Sequence, residues 1–380
     1  MNTVDAAVGG VTVPVDTGFI VHNPVNFPNL VALFRELGVA TEDSDMSFAV
    51  SARSGAFEYA GGRGPAGIFA QPANLLRPRF WGMLADILRF NARARGALDL
   101  ADDVRFGDWL DREGIGGAVR DDHLLPMAAA IWSATTGSIL DFPAASLFRF
   151  LDAHGLLRVF GRPRWRTVSG GCSSYVAALI RDYDGGVYTE TPVAKVVRRD
   201  GGVVVELGTG EVRKYDAAVM ATHADRTLAM LADADTEECN VLGAFRFAPN
   251  RAVLHRDPGF MPRRRKAWAS WNYVTGENGG YVTYWMNRLQ NIDAIENLFV
   301  TLDPPSEPRE VIAAFAYEHP QFDAAAVAAQ RRLGPIQGRK RTWFCGAWSG
   351  YGFHEDGLKS AMRVARDFGT PAPWDAEHSS

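Results

Sequence analysis

Two blocks with a grammar of their own interrupt this 380-residue chain, and they limit what it can fold into. From Pro72 to about Gly161 the pattern is helical: segments 80–90, 106–112, 123–133 and 144–154 repeat apolar residues at i, i+3 and i+4. From about Phe245 to Phe315 the pattern is strand-like, at 250–255, 267–273, 280–286 and 298–302. Trp268, Trp271, Tyr273, Tyr281, Tyr284 and Trp285 concentrate in that second block. Around both blocks run short strands that end in glycine or small residues and lead into helices. A mixed α/β chain follows, with one discontinuous domain and two inserts, at roughly 61–160 and 226–335.

The segments outside the inserts read as follows. After Gly9-Gly10, Val11, Val13 and Val15 alternate, which predicts a strand that closes at Asp16-Thr17-Gly18. Leu30, Leu33, Phe34 and Leu37 form one stripe of a helix over 29–38, stopped by Gly38. Two strand pieces, 48–50 and 57–59, flank Arg53-Ser54-Gly55. Gly170-Gly171 precedes a helix over 175–181, and strands are predicted at 186–188, 193–198, 203–207 and 215–222. The middle two form a hairpin through Asp200-Gly201-Gly202. The chain closes with a strand at 342–347, a loop at 348–353 and a helix at 354–368.

Composition excludes several classes. Forty Lys and Arg against 44 Asp and Glu leave a net charge of −4, which argues against a nucleic-acid-binding surface. The one basic run, Arg263-Arg264-Arg265-Lys266, reads as a solvated turn, with an anionic ligand or a membrane surface as the alternative. No apolar run approaches the ~20 residues of a membrane helix, so membrane contact would be peripheral. Three scattered cysteines, Cys172, Cys239 and Cys345, make neither a disulfide framework nor a zinc site. A reducing, cytoplasmic setting is the expectation. The start of the chain has no basic region and carries Asp5, so it does not read as a signal peptide.

Gly62-Arg63-Gly64-Pro65-Ala66-Gly67 matches the dinucleotide-binding fingerprint in form only. That motif works as a strand turning directly into a long helix, and Pro65 inside the turn with Pro72 following points to a glycine-rich loop instead. The closing segment is more informative. Small residues at Cys345-Gly346-Ala347 leave room for a flat ligand beside the backbone, and Gly350, Gly352 and Gly357 bracket His354-Glu355-Asp356 where a helix begins. Free N–H groups at that helix start favour negative charge. Adjacent side chains point apart on a helix, so His354 and Glu355 do not read as a metal pair. Gly170-Gly171 could seat an anion or lead into a serine-capped helix start. Cys172 beside it could be a low-pKa thiol, although no His or Lys neighbours it. No Gly-x-Ser-x-Gly elbow is present, because Ser349 lacks the first glycine.

Several blocks together carry a resemblance. They are Val13-Pro14-Val15-Asp16-Thr17-Gly18-Phe19-Ile20-Val21, Ala221-Thr222-His223-Ala224-Asp225, Pro249 to His255, Trp268-Ala269-Ser270-Trp271-Asn272-Tyr273, Tyr284-Trp285-Met286-Asn287, and Phe344 to Gly357. The chain resembles FAD-dependent oxidoreductases of the amine oxidase superfamily, and within them bacterial predicted NAD/FAD-binding flavoproteins. The resemblance implies a discontinuous Rossmann-like FAD domain of the glutathione-reductase type, made of 1–60, 161–225 and 336–372. It also implies an inserted α+β substrate domain made of 61–160 and 226–335.

By the same resemblance, Asp16, Thr17 and Gly18 lie near the flavin, and the backbone of Val193 meets the adenine. Thr222 sits by the cofactor, and Gly346 and Ala347 approach the ribityl–phosphate region. Phe353, His354, Glu355, Asp356, Gly357 and Leu358 hold the isoalloxazine edge, where a reduced flavin is negative at N1/O2. Ala347 stands where many members carry an acidic residue. Members of the superfamily open with a strand, Gly-x-Gly-x-x-Gly, helix and strand, about 40 residues that grip the pyrophosphate and ribose. This sequence begins just after them, so the first βαβ unit is expected to be absent, through a late start or a truncation that weakens FAD binding.

The implied function is a flavin-dependent oxidoreductase that takes a hydride from a C–N or C–C bond of a hydrophobic or lipid-like substrate. The alternatives are a non-catalytic remnant that acts as a binding protein, and a flavin-dependent isomerase. No catalytic base is assigned: His22, His223 and His354 are candidates that read first as structural.

Overall fold

The computed structural model describes all residues except 102, 133–134, 159–160, 182, 277–278 and 379–380. Residue 133, the expected end of one helix, therefore lies outside the described residues. The chain divides into two compact units. The first comprises Met1–Asn26, Leu37–Ala178 and Ala248–His319, and the second Phe27–Glu36, Leu179–Phe247 and Pro320–Ser380.

The first unit is built on a seven-stranded sheet. Its spatial order is Val311–Gln321, Arg246–His255, Phe299–Leu302, Gly279–Trp285, Trp271–Gly276, Phe48–Ala52 and Phe57–Gly61. Trp271–Gly276 and Phe48–Ala52 run parallel, and the hairpins on either side of them are antiparallel. Side chains alternate across a strand, so the aromatic block splits between two faces. Ala252, Leu254, Tyr273, Val282, Tyr284, Val300 and Leu302 join one buried cluster, while Trp268, Phe299, Met261 and Trp285 form another. A polar row is buried and satisfied within the sheet: His255 Nε2 lies 2.7 Å from Thr301 Oγ1, which lies 2.9 Å from Thr283 Oγ1.

The helical block folds as Pro78–Arg95, Phe106–Arg112, Leu125–Trp132 and Ala144–Ala153, close to the expected spans. Its rings pack on one another: Trp109 meets Phe148 at 4.5 Å, and Phe90 lies 6.0 Å from each. All three are buried, so these aromatics form core.

Several strands were not legible: the short Val21–His22, Thr41–Asp43 and Arg166–Val168, and two longer ones. Thr3–Val8 pairs with Val11–Asp16 in a hairpin turned by Gly9 and Gly10, both at positive φ. Ala7, an apolar residue on the exposed face, blurs the alternation that buries Ala6 and Val8. Val311–Gln321 is a long strand of mostly half-buried residues, without a clear apolar face.

The second unit holds an antiparallel sheet of Val193–Arg199, Gly202–Leu207 and Val212–Tyr215, and a parallel pair of Ala218–Met220 with Thr342–Phe344. Met220, Phe344 and Trp348 share a cluster with Val241, Leu242 and Ile336. Two expectations are corrected. Segment 186–188 is not a strand: Val187 and Tyr188 are exposed, and Arg213 stacks over the Tyr188 ring at 4.3 Å. The expected strand 215–222 is split, because Tyr215 closes the antiparallel hairpin opposite Val203 and only Ala218–Met220 enters the parallel pair. Among the described residues no helix is long and apolar enough to cross a membrane.

Candidate functional site

In the first unit, the strand Val11–Asp16 delivers Asp16 into a closed polar nest. Its carboxylate accepts from Thr3 Oγ1 at 2.6 Å, from the Cys172 N–H at 3.0 Å and from Gln290 Nε2 at 2.9 Å. Gln290 also takes the Asp16 N–H on its Oε1 at 2.8 Å. The turn at Gly170-Gly171 aims the Cys172 N–H. Gly171 has φ +86°, and a Cβ there would meet Thr3 and Pro14 at 3.0 and 3.1 Å. Burial raises the Asp16 pKa, against the hydrogen bonds from Thr3 and Cys172. Burial, then the charge of Asp16, also pushes the Cys172 thiol up, so the low-pKa alternative for Cys172 fails.

Thr17 follows, with its Oγ1 2.7 Å from Tyr317 Oη and its N–H donated to the Asn2 carbonyl. Gly18 differs from both: it is exposed, and nothing lies within 4 Å of where its Cβ would stand. Asp16 and Thr17 are therefore committed to internal bonds, while Gly18 leaves backbone open to a ligand. His22 is buried on a strand beside Arg166–Val168, and burial followed by the charge of Arg166 lowers its pKa to about 4.

In the second unit the parallel pair ends in a backbone cradle. Met220 O accepts the Cys345 N–H at 3.1 Å, which extends the pairing by one bond. Gly346 then adopts φ +154°, where a Cβ would stand 2.4 Å from Trp348 Nε1, so only glycine fits. Its N–H donates to Ser360 Oγ at 2.9 Å, and Trp348 Nε1 donates to the Thr222 carbonyl at 3.1 Å. Gly357 faces Ala347, whose N and Cβ lie 3.6 and 3.8 Å from the position of a Cβ on Gly357. Thr222, Gly346, Ala347 and Gly357 are thus brought together where the helix His354–Asp367 begins.

The side chains of the expected His354–Leu358 segment are used in other ways. Glu355 is buried. Its Oε1 accepts from the N–H and Nδ2 of Asn29 at 3.2 and 2.6 Å, and its Oε2 from the Leu30 N–H at 3.0 Å. It caps the helix Pro28–Glu36, whose start supplies those orphan donors. Asp356 accepts from the N–H groups of Tyr351 and Phe353, both at 3.0 Å, and closes the loop; burial raises its pKa against those bonds. Burial lowers the His354 pKa to about 4. What Phe353 to Leu358 can offer a ligand is mainly backbone, with half-buried side chains of Phe353 and Leu358. Val193 opens the strand Val193–Arg199 and is partly exposed. His223 stacks on Phe247 at 4.1 Å and 6°.

Sequence reasoning missed Gln290, Tyr317 and Ser360. Gln290 lies 274 residues from Asp16 and carries no motif, whereas Ser360 stands three residues after Gly357, one helical turn on.

The small-residue strand end beside a helix start defines a cofactor-binding α/β protein. The flavin-containing amine oxidoreductase family model matches residues 3–237, and the chain belongs to that family. Its fold is shared with solved structures of low sequence identity. Cyclohexylamine oxidase from Brevibacterium oxydans is 12% identical over 94% of this chain and 88% of that one, with a TM-score of 0.67. A CLA-producing fatty acid isomerase from P. acnes is 14% identical over 97% and 89%, with a TM-score of 0.64. Putrescine oxidase, in a structure bound to putrescine, is 13% identical over 96% and 90%, with a TM-score of 0.62. No curated protein matches the sequence.

FAD is the cofactor of this family, and a small-residue strand end beside a helix N-terminus is compatible with it. Gly346, Ala347 and Gly357 are each half-buried, so backbone at this strand end reaches the surface. The following 14-residue helix supplies a positive dipole end. Gly62–Gly67 does not serve as a pyrophosphate turn: it follows Phe57–Gly61, an antiparallel strand at the sheet edge, and leads into a helix of only five residues.

Proposed function

We propose that this protein is an FAD-dependent oxidoreductase that removes a hydride from a C–N or C–C bond of a hydrophobic substrate. The observation that carries the reading is the backbone cradle of Gly346, Ala347 and Gly357 at the start of the helix His354–Asp367. FAD would supply the redox chemistry, by accepting the hydride. The chain's own residues bind and orient. The half-buried backbone of Gly346 and Ala347 would border an extended ligand, and the helix start would stabilise negative charge at the flavin edge. Glu355 and Asp356 hold that helix start and its loop in shape through the bonds to Asn29, Leu30, Tyr351 and Phe353. Val193 would meet the adenine through its backbone. No side chain is assigned as a base: His22 and His354 are neutral near pH 7, and His223 is stacked on Phe247.

The test is a visible absorption spectrum after incubation with FAD and removal of excess, followed by anaerobic addition of hydrophobic amines of increasing chain length. Retained flavin colour that bleaches with amine and returns with oxygen is expected. A protein that stays colourless after reconstitution overturns the reading. Conversion of an unsaturated substrate with no net reduction would assign isomerisation instead.

A further inference from the structure

Four loops meet at one end of the seven-stranded sheet. Phe48 stands opposite both Gly61 and Trp271, and Trp271 stands opposite Tyr284, so these four residues form a row across the sheet. The segments beyond that row are 43–47, 62–63, 262–270 and 286–291. They bring together Arg63 from the glycine-rich loop, Arg265 from the basic run, and Arg288.

The three cations are positioned rather than loose. Arg63 Nη1 donates to the Trp268 carbonyl. The Arg265 guanidinium lies 3.7 Å from the centre of the Trp268 ring and 4.8 Å from that of Trp285, and the two indoles meet edge to face at 5.5 Å. Arg288 pairs with Asp45 at 2.7 Å, while its Nε is buried with no hydrogen-bond partner among the described residues. Asp45 also accepts from the Ser47 N–H at 2.9 Å and from Ser270 Oγ at 2.7 Å, so the carboxylate is anchored. Asp45, Trp285, Asn287, Arg288 and Asn291 line a cavity of about 390 Å³.

Arg63, Arg265 and Arg288 with the Asp45 carboxylate carry a charge of +2, while Asp43 is paired with Arg166 and Arg264 with Glu58. The cations act on one another: burial and then Arg288 lower the pKa of Arg63, and burial and then Arg63 lower that of Arg265. Such repulsion destabilises the empty arrangement, and a bound anion would relieve it. An excess of two positive charges matches a dianion better than a carboxylate, and planar guanidiniums suit phosphate oxygens. We propose that this end of the sheet is a binding site for a small phosphomonoester, with its phosphate among Arg63, Arg265 and Arg288 and its organic part against Trp285.

Isothermal titration calorimetry at low ionic strength tests this with phenyl phosphate as the probe. Benzoate and phosphatidylcholine vesicles containing phosphatidylglycerol are the other arms. Phenyl phosphate is expected to bind more tightly than benzoate. Arg265→Gln and Arg288→Gln are each expected to weaken it by about tenfold or more, as loss of a charge-assisted bond does. Arg265 is exposed, so its replacement leaves the fold intact, and it decides the question should Arg288→Gln lower stability. Undetectable binding of phenyl phosphate, or binding unchanged in both variants, overturns the proposal. Binding confined to the vesicles overturns it as well, and assigns the basic run to a membrane surface.

Discussion

The seven-stranded sheet of the first unit and the two-stranded parallel pair of the second solve the same problem unequally. The antiparallel strands bury both of their faces: Val300 and Leu254 on one side, and Phe299 on the other, have no exposure. Parallel strands ordinarily lie between covered faces. Here the central residue of Ala218–Met220, Val219, is 46% exposed, and Val187 and Tyr188 of the same unit are 51% and 63% exposed. Stability in the second unit must therefore come from elsewhere, and the residues that supply it are identifiable.

The largest effect is expected at Arg198 and Glu238. Both side chains are fully buried, with Arg198 Nη2 2.8 Å from Glu238 Oε2 and its Nε 3.0 Å from Asp233. Glu238 also completes the capping box of Thr236–Leu242 by accepting from the Asp235 N–H. Glu238→Ala leaves a buried guanidinium without its main partner, at a cost of about 3–5 kcal/mol. Peptide-resolved hydrogen exchange should show the loss throughout 193–247, with much less change in the first-unit sheet. Equal loss in both units would mean that they unfold as one, and would remove the basis of the comparison.

A smaller contrast is expected with pH. In the first unit burial holds His22, His123, His154 and His255 near a pKa of about 4, and in the second it does so for His354. Between the unfolded value of 6.5 and about 4 the unfolded chain binds more protons than the folded one. Stability therefore falls as pH drops through that window, by up to about 1.4 kcal/mol per pH unit for each histidine. Asp16 and Asp356, each raised by burial, act in the opposite sense, one in each unit. Exchange measured at pH 7 and pH 5 should thus open the first unit more than the second. A uniform response would show that the four histidines are not held neutral.

How much of this was legible follows from the range over which each signal acts. Helix periodicity is local, so Phe106–Arg112 and Ala144–Ala153 were read almost to the residue. Strand pairing is not local. Segment 186–188 has the composition of a strand but finds no strand partner among the described residues, whereas Val311–Gln321 lacks a clean alternation and still becomes an edge strand. At the candidate site the glycines were legible because their conformation is intrinsic: Gly171 at φ +86° and Gly346 at φ +154° adopt backbone that other residues rarely take. The tasks of Glu355 and Asp16 were not, because their partners Leu30 and Gln290 lie 325 and 274 residues away. The arginine cluster was half legible. The basic run and the glycine-rich loop were both noticed, but their meeting at one sheet end depends on the register of Phe48 with Trp271 and Gly61.

The smallest expected effect addresses the two sheets directly. Val219→Thr adds a hydroxyl where water already reaches, so its cost should stay within about 0.5 kcal/mol. Val300→Thr adds the same atom at a fully buried position of Phe299–Leu302, opposite Leu254 and Tyr284. An unsatisfied buried hydroxyl costs about 1–3 kcal/mol. The two substitutions are chemically identical, so the difference between their urea midpoints reads the environment alone. A cost at Val219 as large as that at Val300 would show that the face of Ala218–Met220 is covered in solution by a further polypeptide segment or by a second copy of the chain. The midpoint of Val219→Thr would then depend on protein concentration only in the second case.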